Sequence, residues 1–402
     1  MNRTKLDNWI AELEGLPVLT REALEALQLR RLNETLKRVK ERGGFYRDYP
    51  DRLESLADLQ TLPFTTAADL AAQPNRFLVT SQSEVGRIIS GATSGTTGSA
   101  KRVFYTDRDT EHTVGFFAAG ISEILAAGEK CFIAFPFSGP FGLGDLIARA
   151  VERLGGIPIR AGFGQNWGEM LALLRETKPQ TYIGFPVTLL SLIRMYGSDF
   201  PVRRALVSGD ACPAGVMAEL EKNLGSRLYP HYGSRESGLG GAVTCPDFEG
   251  MHLRENHIIP QIIDETGKVL PDGEYGELVL TTIGAEAMPL IRYRTGDFTR
   301  ILPPCPCGGI TKRLDTVSRR EGDISMEELD SHLFRIPGLA DYRASFDGRL
   351  IIEARTLCEG LEKQILHGAE TVCPDLQMVV HTAPSGDFDR PMYLGKRHIV
   401  KL

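Results

Sequence analysis

From Cys131 to Tyr232 the sequence switches repeatedly between short apolar runs and longer stretches with apolar residues at helical spacing, and no other feature limits the possible folds as much. Runs at 131–137, 157–160, 180–185, 204–208 and 227–232 predict strands; segments at 143–155, 167–177, 186–196 and 213–224 predict helices. A strand followed by a helix of that length returns as a right-handed crossover to a parallel neighbour, and a parallel sheet is covered on both faces. The core is therefore α/β. Ahead of it, Leu19–Tyr46 places Leu24, Leu27, Leu32, Leu36 and Val39 on one helical face, with Thr20 as N-cap and Gly43-Gly44 as stop. Between His252 and Ile301 the helical period disappears. Runs at 258–263, 276–282 and 291–301, joined by turns such as Pro271-Asp272-Gly273, predict a small antiparallel sheet or barrel. Beyond the Pro/Cys/Gly cluster at 303–309, a strand at 349–355, a helix at 359–369 and a strand at 376–381 predict a small separate α/β domain. Its boundary lies between Val317 and Asp323.

At 402 residues the chain exceeds what one hydrophobic core organises. Apolar residues at 42% and charged residues at 24% exclude disorder, collagen and coiled coil. A net charge of −6 supplies no broad positive field, so nucleic acid is not expected as a partner. No run approaches the ~18 apolar residues of a membrane span. Arg3, Lys5, Asp7, Glu12 and Glu14 stand where a secretory signal would need an apolar core. No membrane partner and a cytoplasmic location are expected. Seven cysteines, an odd number thinly spread, argue for reduced thiols over a disulfide framework.

The sharpest local signal is the segment Ser90-Gly91-Ala92-Thr93-Ser94-Gly95-Thr96-Thr97-Gly98-Ser99-Ala100-Lys101. Glycines let successive backbone N–H groups point into one concavity, and hydroxyls plus a terminal ammonium add donors, a combination suited to a triphosphate. Neither a Walker A order nor a Gly-x-Gly-x-x-Gly pattern is present. A surface linker of the same composition is the competing reading.

Thr93 to Lys101 resembles the phosphate loop of adenylate-forming enzymes, and further matches follow in order. Tyr232-Gly233-Ser234-Arg235-Glu236 resembles that family's aromatic-Gly-x-Thr-Glu motif, and Tyr293-Arg294-Thr295-Gly296-Asp297 its Tyr-Arg-Thr-Gly-Asp motif. Three further stretches resemble the phenylacetate-CoA ligase branch: Gln28-Leu29-Arg30-Arg31-Leu32, Gly276-Glu277-Leu278-Val279 and Met288-Pro289-Leu290-Ile291-Arg292-Tyr293. The resemblance covers nearly the whole chain. It implies a large multi-subdomain N-terminal domain, residues 1–317, with parallel sheets and a small antiparallel β subdomain, and a small mobile α/β lid, residues 318–402.

The same resemblance implies ATP-dependent activation of a small carboxylic acid through an acyl-adenylate, with release of pyrophosphate, then transfer to coenzyme A. The acid would be aryl, of the phenylacetate kind, and a homodimer is compatible with it. Transfer to an amine or a carrier protein, or nucleotide binding without catalysis, remain rival readings. Thr93, Ser94, Gly95, Thr96, Thr97 and Gly98 would hold the phosphates, with Lys101 as their ammonium. Ser208, Gly209, Asp210, His231, Tyr232, Gly233 and Ser234 would border the adenine, with Tyr232 stacked on it. Asp297 would accept from the ribose hydroxyls, a carboxylate suiting a pair of donors, and Arg320 lies in the hinge segment 319–323. Glu236 would hold Mg²⁺ against the phosphates. Arg235 replaces the family's usual Thr near the α-phosphate, and Gly322 departs from the usual acidic hinge residue. Lys396, in Pro391-Met392-Tyr393-Leu394-Gly395-Lys396-Arg397, resembles the terminal Gly-Lys motif and would bridge the attacking carboxylate and the α-phosphate; a solvated terminal lysine is the alternative. Phe135, Phe137, Gly139, Pro140, Phe185 and Pro186 would wall the acyl pocket, or else simply belong to the core.

Cys305-Pro306-Cys307-Gly308 presents two thiols on one turn, and a tetrahedral Zn²⁺ needs two more ligands. Cys245 and His252, seven residues apart, are the best donors available, with His257 in reserve. Four protein ligands would make the site structural. Buried free cysteines beside a satisfied histidine are the alternative.

Overall fold

The computed structural model describes residues 4–91, 101–137, 142–162, 164–319, 324–384 and 395–402. The chain forms two interleaved compact units, one of residues 1–123 and 231–320, the other of 124–230 and 321–402. The chain passes from the first unit to the second after residues 123 and 320. The sequence did not reveal that 124–230 belongs with 321–402. Among the described residues no helix is long and apolar enough to cross a membrane.

In the first unit, the expected amphipathic helix spans Arg21–Arg42. The Thr20 hydroxyl accepts from the Ala23 N–H, and Gly43 closes the helix in the left-handed region. Leu32, Leu36 and Val39 pack with Tyr46, Phe77, Leu290, Ile291 and Tyr293 into one core, which fixes the backbone of the Tyr293 segment. The strands Ile258–Ile263, Gly276–Thr282, Tyr293–Thr299 and Ser318–Arg319 form an antiparallel sheet in that order. The single strand expected over 291–301 is split. Arg292 takes a φ of +49°, and Ile301–Leu302 pairs instead with Arg313–Leu314 in a second sheet. That sheet continues through Met251–Leu253 and Ala242–Thr244 to His231 and Tyr232, all antiparallel.

Register in the first sheet shifts between Glu277↔Phe298 and Val279↔Arg294. Gly296, at φ +73°, supplies the conformation this bulge requires. Its N–H reaches the Glu277 carboxylate at 3.2 Å, and the Asp297 N–H reaches the Thr295 hydroxyl at 3.0 Å. The bulge thereby sets the direction of the Asp297 side chain.

Every strand and helix expected between 131 and 232 is present, and all but His231 and Tyr232 belong to the second unit. Lys130–Ala134, Ile157–Arg160, Thr181–Gly184 and Arg204–Val207 are parallel, and Tyr229 and Pro230 extend the ladder. The helices are Leu143–Arg153, Trp167–Thr177, Pro186–Tyr196 and Ala214–Leu224. Ile157–Arg160 lies on one side of Lys130–Ala134 and Thr181–Gly184 on the other. Strand order therefore reverses at the C-terminal ends of those last two strands, where open α/β sheets bind ligands.

The tail contributes Leu339–Phe346, Leu350–Thr356, Met378–Pro384 and Val400–Lys401 to a mixed sheet, with helices Met326–Leu333 and Glu362–Val372. The first and last of these strands and the first helix were not expected. Phe132, Leu189, Leu192 and Val216 share a single core with Leu329, Tyr342, Leu350 and Ile365. The Ser191 hydroxyl also donates to the Ala340 carbonyl at 2.6 Å. The tail forms its own sheet and helices, and its core is continuous with that of residues 124–230.

Candidate active site

The loop 92–100, with Thr93, Ser94, Gly95, Thr96, Thr97 and Gly98, lies outside the described residues. The strands on either side, Arg87–Gly91 and Lys101–Tyr105, pair antiparallel and set Gly91 opposite Lys101. Lys101 Nζ is 2.5 Å from Glu236 Oε1 and 3.1 Å from the Tyr293 hydroxyl. That hydroxyl donates to Glu236 Oε1 at 3.3 Å. Three residues from three separate motifs thus meet at one point. Burial alone would push the Glu236 carboxyl up, but the charge and hydrogen bond of Lys101 outweigh it and hold the group below the usual carboxylate range. The result is a buried carboxylate that remains ionised.

Backbone geometry holds Glu236 in place. Leu239 N–H donates to the Ser234 carbonyl at 2.8 Å, Gly238 N–H to the Arg235 carbonyl at 3.2 Å, and Ser234 N–H to the Ser237 hydroxyl at 2.9 Å. The Tyr105 hydroxyl also donates to the Arg235 carbonyl. Among the described residues Arg235 Nη1 is buried without a hydrogen-bond partner, a donor still available to an anion.

Tyr232 and Asp297 meet as well: the phenol donates to Asp297 Oδ2 at 2.7 Å. Arg319, cross-strand from Asp297, reaches Oδ1 at 2.9 Å. One lone pair of each oxygen is used, and the carboxylate keeps capacity for further donors. The Tyr232 ring belongs to a small core with Met251, Leu253, Ile258 and Leu278. Arg320 lies outside the described residues. Its neighbour Arg319 is the residue seen on Asp297, and sequence reasoning had not singled it out; the signal was the strand register, which a motif does not carry.

His231 is packed against Phe116 and Phe117, with ring centroids at 5.7 and 5.8 Å. Burial pulls its imidazole down to about 4, so it is neutral at pH 7. The unfolded chain takes up the proton first, near pH 6.5. Stability is therefore complete above that pH and is lost as pH falls toward 4, by roughly 3 kcal/mol from this group. His231→Gln should flatten the fall in Tm between pH 7 and 5; an unchanged slope would exclude this residue as its source.

In the second unit Ser208, Gly209 and Asp210 follow the strand Arg204–Val207. Gly209 has φ +84°, and a Cβ there would stand 2.6 Å from Phe185 and 2.8 Å from Phe135. Those two rings lie edge to face at 4.8 Å, at the ends of the two strands that flank the switch in strand order. They are buried, as is Pro186. Phe137 lies under the Arg160 guanidinium at 5.3 Å. Gly139 and Pro140 lie outside the described residues. Asp210 accepts the Arg397 backbone N–H at 2.7 Å, and burial pushes its carboxyl up to about 6. Lys396 is exposed beside it in sequence.

Cys245, His252, Cys305 and Cys307 come together in the first unit, their ligand atoms all within 4.8 Å of one another. Cys245 Sγ is 3.7 Å from Cys305 Sγ, and Cys307 Sγ is 3.4 Å from His252 Nε2. Two thiolates on a tetrahedral zinc, at about 2.3 Å each, stand about 3.8 Å apart. His252 Nδ1 faces the Thr311 carbonyl at 3.2 Å and its hydroxyl at 3.0 Å. Donation there leaves the Nε2 lone pair aimed into the cluster. Gly309 N–H donates to Cys307 Sγ at 3.2 Å. The reserve ligand His257 is not in the group.

A family model described as AMP-binding enzyme matches residues 92–286. The phenylacetate-coenzyme A ligase of Aromatoleum evansii is 35% identical over 312 residues, 73% of this chain and 70% of that protein. The enzyme of the same name from Escherichia coli K12 is 32% identical over 335 residues, 78% of this chain and 75% of its own. That from Pseudomonas putida is 31% identical over 385 residues, 88% and 87%. A crystal structure of 2-hydroxyisobutyryl-CoA ligase in the postadenylation state, in complex with R3-HIB-AMP, has a TM-score of 0.77 at 19% identity. It covers 94% of this chain and 89% of that one, a likeness of fold.

Proposed function

The chain belongs to the phenylacetate-coenzyme A ligase family of AMP-binding enzymes, an AMP-forming acid–CoA ligase that works through an acyl-adenylate, and we propose that its acid is aryl, of the phenylacetate kind. The acid's carboxylate oxygen attacks the α-phosphorus of ATP as pyrophosphate leaves; the thiol of coenzyme A then attacks the acyl carbon and AMP leaves. Such a reaction needs charge neutralisation and alignment more than covalent help from the protein. The observation that carries the assignment of residues is the meeting of Lys101, Glu236 and Tyr293 at 2.5–3.3 Å.

In this reading residues 1–317 handle acid and nucleotide, and 318–402 carry the adenylation lysine, Lys396. Lys101 and Arg235 receive phosphate oxygens, and residues 93–98 supply hydroxyl and backbone donors. Asp297 orients the ribose, while Tyr232 with Ser208 to Asp210, His231, Gly233 and Ser234 borders the base. An ionised, buried Glu236 suits a hard divalent cation, so Mg²⁺ bound there would offset phosphate charge. Phe135 and Phe185, meeting at Gly209, are apolar and aromatic, which supports an aryl acid. The Cys₃His set matches structural zinc in donor type and spacing.

An acid-panel pyrophosphate exchange assay, run with and without coenzyme A, tests the function. Exchange with arylacetic acids, and thioester and AMP on adding coenzyme A, are expected. Exchange without consumption of coenzyme A would move the acceptor to an amine or carrier protein. ATP binding without acid-dependent exchange would leave a nucleotide-binding homologue.

A further inference from the structure

Arg397 follows the candidate adenylation lysine, and its side chain is only 3% exposed. Nε lies 3.1 and 2.9 Å from the two oxygens of Asp330, Nη1 is 3.1 Å from Asp341 Oδ1, and Nη2 is 3.1 Å from the Tyr342 carbonyl. The guanidinium lies 4.6 Å from the centroid of the Tyr342 ring, whose hydroxyl donates to Asp330 Oδ1 at 2.6 Å. The Arg397 backbone N–H is held by Asp210. A buried ion cluster of this kind is weak evidence for added stability, because desolvation opposes the Coulomb gain; its best-attested use is to specify register.

Register matters here. Lys396 is exposed, Arg397 buried, His398 exposed, Ile399 half-buried and Val400 exposed, so successive side chains alternate between solvent and the interior. A slip of one residue would offer the Lys396 ammonium to Asp330 and Asp341 and turn Arg397 outward. Both side chains are cations, so charge alone does not choose between them. The planar fork does, since the two carboxylates and the Tyr342 carbonyl accept from Nε and both Nη atoms, a donor set that an ammonium cannot present in the same directions.

We propose that Arg397 is a positioning residue that locks the register of the C-terminal segment and thereby aims Lys396 during adenylation. The proposal rests on Lys396 being the adenylation lysine. Asp330 and Asp341 form the socket, and Asp210 ties the same backbone to the loop after Arg204–Val207.

Arg397→Lys, Lys396→Ala and the double variant, in the full-length enzyme, test it by pyrophosphate exchange with melting temperature measured alongside. Arg397→Lys keeps a cation against the carboxylates but loses the fork. It should lower adenylation kcat by about tenfold or more, with KM for ATP and acid within about threefold. On the Lys396→Ala background the same change should cost less than about twofold, because no lysine is left to aim. A multiplicative loss in the double variant, or a parental rate in Arg397→Lys, would overturn the role of Arg397 alone. Parental exchange by Lys396→Ala would overturn the lysine reading and this proposal with it. If Arg397→Lys does not fold, Asp341→Asn, which removes one acceptor from the socket, is held to the same non-additivity.

Discussion

Glu236→Ala is expected to lower acid-dependent pyrophosphate exchange by about 10²–10³-fold, the largest single loss at this site. The carboxylate is buried, kept ionised by Lys101, and accepts from the Tyr293 hydroxyl. A charge maintained in the interior at such a cost is suited to a cation that arrives with the nucleotide. Glu236→Gln, which keeps shape and one acceptor but removes the charge, should fall nearly as far while folding normally. Lys101→Ala should behave differently. It leaves Glu236 without its charged partner, so the carboxyl shifts upward, and the main kinetic effect is a raised KM for ATP. Parental rates in Glu236→Gln would remove this carboxylate from the chemistry and leave the Lys101 pair as packing.

The second large effect concerns metal. Protein purified without chelator should contain about one zinc per chain, and Cys305→Ser/Cys307→Ser should lose it with a fall in Tm of roughly 10 °C. The cluster joins segments 245–252 and 305–307, at the outer end of the sheet that also contains Tyr232. His252 is turned so that Nε2 faces the thiols. Elemental analysis with thermal melts before and after chelation decides the matter. A metal-free wild type as stable as the zinc-loaded one would show the thiols to be ordinary buried cysteines. The contact of 3.7 Å between Cys245 and Cys305 would then make a disulfide on oxidation the alternative to check, by mass.

The alternation between 131 and 232, the capped helix at Arg21–Arg42 and the antiparallel pair Ile258–Ile263 with Gly276–Thr282 were all legible in the sequence, because period, caps and turns are local properties of a chain. Ordered motifs singled out Lys101 and Glu236, and Tyr232 and Asp297, residues that meet in pairs. The grouping of Cys245, His252, Cys305 and Cys307 was legible because thiols are few and two sit on one turn. Only the tertiary structure decided the rest. Arg319 on Asp297 follows from strand register and a bulge at Gly296. The socket of Asp330 and Asp341 around Arg397, and the single core shared by Phe132 with Tyr342 and Leu350, depend on segments far apart in the chain. Which remote segments meet is settled by packing of whole surfaces, and a local pattern of residues does not encode its partner.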